Sequence, residues 1–344
     1  MATYNRKFIL KTNKNIFSPN LKYRYFENYR EHPFEPNTTD FSLVNAWWLA
    51  ESSMLAYADK DFINYQISQA GINFCRYFDS PRSKCFVANT NDFTIIAFRG
   101  TATSSSDLFT NLIDNLSINM TDFKQGGKVH FGFYNAFKDI WDEQLGFQDY
   151  LFYLKRNNPD IKFWFTGHSL GAAIASLAAS SFKYSHSLYT FAAPKVGNLA
   201  FRNKLKFTTY RIVNYNDFIT LLPPSLDNKI DEEYVHHGVT KYIDKNKKLK
   251  DEIKLPDNRF TKSIVISSKI IDIVFDKNKS ILTKIVNLKH VDDNKKSHSS
   301  PVTGSSRFLN KMKSLFLRVN EIEISNHAPI FYVIYLWNIY IQSL

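Results

Sequence analysis

The sequence predicts an α/β fold, a largely parallel sheet with helices on both faces. Three observations predict it. Phe93-Thr-Ile-Ile-Ala-Phe-Arg99 is apolar enough for a strand buried on both faces. Ile161-Lys-Phe-Trp-Phe-Thr166 reads as another strand, and Leu170 to Phe182 behind it is a helix-length stretch crowded with small residues. Strand-like runs recur at 187–192, 208–214 and 234–239, so strands alternate with helical patterns through the middle of the chain.

Taken in order, residues 1–38 are polar and basic with aromatic interruptions and no clear period, the pattern of an irregular N-terminal arm. Residues 39–344 then read as one elaborated domain. Asp40 is a good N-cap for a helix that places Leu43, Trp47, Ala50, Met54 and Tyr57 on one face. Strand-like runs follow at 72–78, 84–90 and 93–99, and residues 132–156 suit a helix.

Segment 241–320 breaks this rhythm and reads as a basic insertion, rich in Lys, Asn and Asp, with apolar islands at 263–275 and 281–288. Its tail, Arg307 to Asn320, gathers Phe308, Leu309, Met312, Leu315, Phe316 and Val319 on one face as a basic amphipathic helix. Seventeen uncharged residues, Ala328 to Leu344, close the chain. A membrane span needs about 18–20 mostly apolar residues. Asn338, Gln342 and Ser343 argue instead for a buried terminal helix or strand.

Composition bounds the function. With 344 residues, 44% hydrophobic and 16% aromatic, the chain can bury a substantial core. Its net charge of +12 suggests nucleic acid or an anionic membrane until the charge is located. Residues 241–320 hold 19 Lys+Arg against 8 Asp+Glu, so nearly all the excess lies in the insertion. No recognisable nucleic-acid-binding motif accompanies it, so no nucleic-acid partner is expected. Cys75 and Cys85 flank a hairpin-like turn and are read as reduced strand residues, with pairing across the turn as the alternative. Phe8-Ile9-Leu10 is too short for a signal-peptide core. The expectation is a cytoplasmic protein or one exported without a cleaved signal, with peripheral membrane contact through the insertion.

The chemistry centres on Gly167-His168-Ser169-Leu170-Gly171. Gly-x-Ser-x-Gly alone is a weak pattern, but here it follows a strand and opens a helix, the setting its mechanism requires. Such a serine stands on a strained turn at the carboxyl end of the sheet. A hydroxyl is a poor nucleophile at neutral pH, so a histidine must accept its proton and a carboxylate must orient that histidine. In this architecture the three come in the chain order Ser, Asp or Glu, His. Asp217 lies just past a predicted strand, whereas Asp227 and Asp231 lie further from a strand end. Of the downstream histidines, His186 sits at the wrong sheet edge, and His290 and His298 lie in or beside the insertion. His327 precedes the terminal segment and is the leading base, with His236 and His237 left open. The oxyanion needs two donors. Leu170 N–H and the strand-end loop Phe98-Arg-Gly-Thr101 offer them, with Thr101 the second candidate. Leu108, Phe109, Leu112, Ile113 and Leu116 give residues 102–116 the pattern of a lid or of a permanently docked surface helix.

Five ordered blocks then resemble the class 3 lipase family, which includes the filamentous-fungal triacylglycerol lipases. They are Phe98-Arg-Gly-Thr101, Val129-His-Phe-Gly-Phe133, Thr166-Gly-His-Ser-Leu-Gly171, Phe191-Ala-Ala-Pro-Lys-Val-Gly-Asn198, and Asn216-Asp217 with Pro223-Pro224. The likeness covers about 40–240 and resumes near His327. It implies an α/β-hydrolase fold and hydrolysis of carboxylic esters of lipids without cofactor or metal. By motif position it carries the nucleophile onto Ser169, the acid onto Asp217 and the oxyanion donors onto Thr101 and Leu170. The histidine transfers less directly, because the insertion puts 110 residues between Asp217 and His327. Triacylglycerol lipase, phospholipase A1 and carboxylesterase share these residues. A non-catalytic lipid-binding or signalling protein that keeps the hydrolase fold is the competing class.

Overall fold

In the computed structural model, which describes residues 19–101, 119–223, 233–251 and 326–344, the apolar runs assemble into one eight-stranded sheet. The chain divides into two compact units, and every described residue belongs to the first, 1–253 with 321–344. The sheet strands are β1 (Phe74–Asp79), β2 (Lys84–Asn89), β3 (Phe93–Phe98), β6 (Lys162–His168), β7 (Ser185–Phe191), β8 (Thr208–Asn214), β9 (Val239–Ile243) and β10 (Leu249–Lys250). Two short strands, β4 (Met120–Asp122) and β5 (Lys128–His130), pair separately. The helices are α1 (Leu43–Leu55), α2 (Lys60–Gln69), α3 (Phe131–Trp141), α4 (Phe147–Asn157), α5 (Leu170–Ser181), the short α6 (Leu199–Arg202) and α7 (Pro329–Ser343).

Strand order follows the chain, β1-β2-β3-β6-β7-β8-β9-β10. β1, β2 and β3 form an antiparallel meander, β3, β6, β7, β8 and β9 are parallel neighbours, and β10 returns antiparallel at the edge. The expected mostly parallel sheet flanked by helices is therefore present. Side-chain alternation sorts its two faces. Phe86, Ala88, Ile95, Ala97 and Trp164 join a core with residues of α1 and α7. Val87, Ile96, Phe98, Phe163 and Phe165 join a second core with residues of α3, α4 and α5. Trp47 and Trp337 meet at 4.7 Å in the first core. Each such buried aromatic contributes roughly 1.5–3 kcal/mol.

Several boundaries differ from the sequence reading. Ser42, not Asp40, caps α1, because its side chain accepts the Asn45 N–H at 3.2 Å. The helix expected at 132–156 is two helices, α3 and α4, because Gly146 at φ 63° turns the chain between them. At 234–239 only Val235 makes a bridge, to Gly197, before β9 begins at Val239. β9 and β10 draw residues 241–243 and 249–250, read as the start of the insertion, into the sheet edge. Residues 252–320 of the insertion, with its amphipathic helix, and the 102–116 lid candidate lie outside the described residues.

The N-terminal arm, described from residue 19, has turns and no helix or strand, yet it is packed into the core. Phe34 meets Phe93 at 4.6 Å and Trp164 at 5.0 Å, and Phe26 meets Trp48 at 4.9 Å. Cys75 and Cys85 are both free. Cys75 stands opposite Ala88 and Cys85 opposite Phe78, which puts the two sulfurs on opposite faces of the β1–β2 hairpin. The terminal segment is the buried helix α7, and among the described residues no helix is long and apolar enough to cross a membrane.

Candidate active site

β6 ends at His168 and α5 begins at Leu170, so Ser169 alone turns the chain from strand to helix. Its backbone, at φ 58° and ψ −126°, lies in a region that side chains seldom tolerate. Two glycines permit the turn by close approach. A Cβ on Gly167 would come within 2.3 Å of the Gly171 carbonyl oxygen. A Cβ on Gly171 would come within 2.2 Å of the Phe98 carbonyl oxygen. The pentapeptide therefore folds against itself and against the end of β3. The Ser169 N–H bonds the Phe191 carbonyl at 3.0 Å, which ties the turn to β7.

Asp217 and His327 reach the same sheet edge from other elements. Asp217 follows β8 and caps the 3-10 helix Phe218–Leu221, accepting the Ile219 N–H at 3.2 Å. His327 lies two residues before α7. Its Nε2 is 3.0 Å from Ser169 Oγ, and its Nδ1 is 3.0 Å from each Asp217 oxygen. All three are buried, with Ser169 2%, Asp217 4% and His327 1% exposed. A carboxylate only accepts, so the Nδ1 proton faces Asp217 and the Nε2 lone pair faces the serine hydroxyl. A general base needs that tautomer.

The surroundings hold Asp217 and the His327 loop. Tyr332 Oη donates to Asp217 Oδ2 at 2.6 Å and accepts the Asn214 N–H at 3.0 Å. Burial, and then the adjacent Asp217 charge, push the Tyr332 hydroxyl well above its ordinary pKa, so it remains a donor. Asn214 Nδ2 donates to the Asn326 carbonyl at 2.9 Å, linking β8 to the residue before His327. Neither Tyr332 nor Asn214 stands out in the sequence. Tyr332 lies within an apolar helix, and its five-residue distance from His327 has no pattern of its own.

The oxyanion candidates also converge. Leu170 opens α5, where first-turn N–H groups lack intrahelical acceptors. Thr101 lies three residues past β3 and is half-buried. A Cβ on Gly100 would come within 2.6 Å of the His168 carbonyl, so that loop lies directly on the serine turn. Among the described residues no group of His, Cys, Asp or Glu is arranged to hold a metal.

The other histidines are placed elsewhere. His237 is buried with its Nε2 3.0 Å from Ser176 Oγ, two helical turns beyond Ser169, and burial followed by the Arg211 charge lowers its pKa to about 4. Burial, helped by Arg211, Lys195 and His237, holds His236 well below the ordinary range against a backbone hydrogen bond at Thr220. His186 is the second residue of β7, at the opposite end of the sheet, and meets the Thr38 carbonyl at 3.0 Å. His290, His298, Asp227 and Asp231 lie outside the described residues.

Comparison with known proteins agrees with the five blocks. Residues 95–226 match the family described as Lipase (class 3). The secreted mono- and diacylglycerol lipase 1 of Fusarium solani is 35% identical over 109 residues, covering 30% of this chain and 32% of the relative. A lipase of Rhizopus niveus is 28% identical over 162 residues, covering 43% and 38%. The chain thus spans less than half the length of the curated relatives it matches. Among solved structures, lipase II from Rhizopus niveus overlaps 57% of this chain and 78% of its own, with 21% identity and a TM-score of 0.45. The mono- and diacylglycerol lipase from Aspergillus oryzae overlaps 64% and 82%, with 25% identity and a TM-score of 0.46. Residues 95–226 thus match the class 3 lipase family, and the five ordered blocks fall within that match.

Proposed function

We propose that this chain is a serine hydrolase that cleaves carboxylic esters of lipids. The observation that carries the reading is the buried line from Ser169 Oγ through His327 to Asp217, each link 3.0 Å long. Ser169 Oγ attacks the ester carbonyl carbon while His327 Nε2 takes its proton. The N–H groups of Leu170 and Thr101 receive the oxyanion. The imidazolium, held beside Asp217, returns the proton to the departing alcohol as the C–O bond breaks and the acyl-enzyme remains. Water then attacks the acyl carbon, His327 accepts its proton, and the fatty acid leaves as Ser169 is restored.

The names of the matched relatives point to glycerides as the first substrates to test, and two of those relatives are named as secreted. The basic insertion adds a second component. A cationic, partly amphipathic segment would hold the enzyme at an anionic lipid surface, which favours a phospholipid interface as the site of action. Removing residues 254–320, the second compact unit, should abolish sedimentation with phosphatidylserine vesicles. Unchanged sedimentation would remove the insertion from this role.

Fluorophosphonate labelling tests the catalytic reading and separates it from a non-catalytic lipid-binding protein. The wild-type chain should label and Ser169→Ala should not. Absence of wild-type labelling, or labelling that survives Ser169→Ala, would overturn it.

A further inference from the structure

His168 directly precedes the nucleophile, and it is fully buried. Its Nε2 lies 2.6 Å from the backbone oxygen of His327, and its Nδ1 lies 2.9 Å from Tyr57 Oη. A carbonyl oxygen only accepts, so Nε2 carries the proton and Nδ1 is left as an acceptor. The Tyr57 hydroxyl must then donate to Nδ1. Only one tautomer and one direction of hydrogen bonding satisfy the series Tyr57 to His168 to His327. The close packing around it admits little else, since a Cβ on Gly100 would stand 2.0 Å from Tyr57 Oη.

We propose that His168, oriented by Tyr57, is the positioning residue for His327 and fixes the main chain from which the catalytic imidazole is aimed at Ser169. The inference rests on the reading of His327 as the base. Asp217 holds one ring nitrogen, but the direction of Nε2 also depends on where the His327 backbone sits. His168 fixes that backbone by its carbonyl, from the residue directly before the nucleophile. Base and nucleophile are thereby referenced to one buried point. The charge state suits the task as well. Burial, and then proximity to His327, hold the His168 pKa well below the ordinary value, so it is neutral. The two rings are 4.7 Å apart, and a neutral neighbour does not repel the imidazolium that forms on His327 during turnover.

The test compares His168→Phe, His168→Gln and Tyr57→Phe, with kcat expressed per active site titrated by fluorophosphonate, beside Ser169→Ala assayed per mole of protein, with folding checked by thermal unfolding. His168→Phe should lower kcat by about 10²-fold, the cost typical of a misplaced catalytic group, while KM changes little. Tyr57→Phe should cost less. In His168→Gln the side-chain amide can still donate to the His327 carbonyl, so it should recover most of the loss. The far-downfield proton resonance of His327 Nδ1 should be lost in His168→Phe and return in His168→Gln. Wild-type kcat in His168→Phe, or His168→Gln no better than His168→Phe, overturns the proposal. Should His168→Phe fail to fold, Tyr57→Phe decides, and an unchanged kcat and resonance there overturn it. Ester turnover that survives Ser169→Ala condemns the catalytic reading instead of this one.

Discussion

Tyr332 Oη donates to Asp217 Oδ2 across 2.6 Å, so the carboxylate that orients His327 is itself held by the helix that follows His327. The same hydroxyl accepts the Asn214 N–H, which joins α7 to the end of β8. A hydrogen bond to a charged group is worth about 1.5–3 kcal/mol. Tyr332→Phe should therefore lower kcat/KM by roughly tenfold or more, with KM nearly unchanged, because the bond orients the acid and touches no substrate. Steady-state kinetics on the folded variant checks this, and an undiminished kcat/KM would show that Asp217 needs no such support.

The choice among histidines follows from placement. His327→Ala should remove turnover, whereas His237→Ala should keep near-normal kcat per titrated site and lose stability through the Ser176 contact and the space left behind. Asp217→Asn should leave the fold intact and lower kcat by about 10⁴-fold, as a triad whose histidine takes the wrong tautomer does. Turnover lost in His236→Ala or His237→Ala but kept in His327→Ala would reverse the assignment.

The sequence revealed most clearly what depends on local pattern. The strand before Ser169, the small-residue helix behind it and the candidates Ser169 and Asp217 follow from runs, spacings and sheet edges. His327, by contrast, shared its candidacy with His236 and His237, and it is the fold that puts its Nε2 3.0 Å from Ser169 Oγ. Residues that act across the fold left no such trace. Tyr57 lies in the turn just after α1, His168 stands beside the motif serine and Tyr332 sits in an apolar stretch, and each gains meaning only from a partner over a hundred residues away. The arm shows the same limit, since aromatic residues without a period, Phe26 and Phe34, find their partners by tertiary packing. At Gly146 one helical pattern conceals a break, because hydrophobic spacing continues across a residue whose φ of 63° turns the backbone.

Gly171 offers a steric test of the serine turn. Its missing side chain lets α5 approach the end of β3, where a Cβ would meet the Phe98 carbonyl at 2.2 Å and the Gly100 nitrogen at 2.9 Å. Backbone must move to admit a methyl group, and overpacking of this kind costs roughly 1–3 kcal/mol. Gly171→Ala should lower the urea midpoint accordingly. It should also slow fluorophosphonate labelling of Ser169, because the displaced loop carries Thr101. Normal stability together with a normal labelling rate would mean that the β3 loop yields freely.

Acid should weaken the fold through its buried histidines. His237 has its pKa lowered from 6.5 to about 4, with burial the largest cause. The unfolded chain therefore takes up this proton near pH 6.5 while the folded chain resists until about 4. Stability from this group is complete above pH 6.5, falls as pH drops through that window, and falls no further below about 4. The loss amounts to roughly 3 kcal/mol at most. His168 and His236 are shifted in the same direction and steepen the slope. Ser176 Oγ donates to the Ala172 carbonyl, so its oxygen accepts from His237 Nε2. A glutamine at 237 can donate there without titrating. Urea unfolding from pH 7 to pH 4 should thus show a shallower decline for His237→Gln than for wild type, and parallel declines would exclude His237 as a titrating contributor.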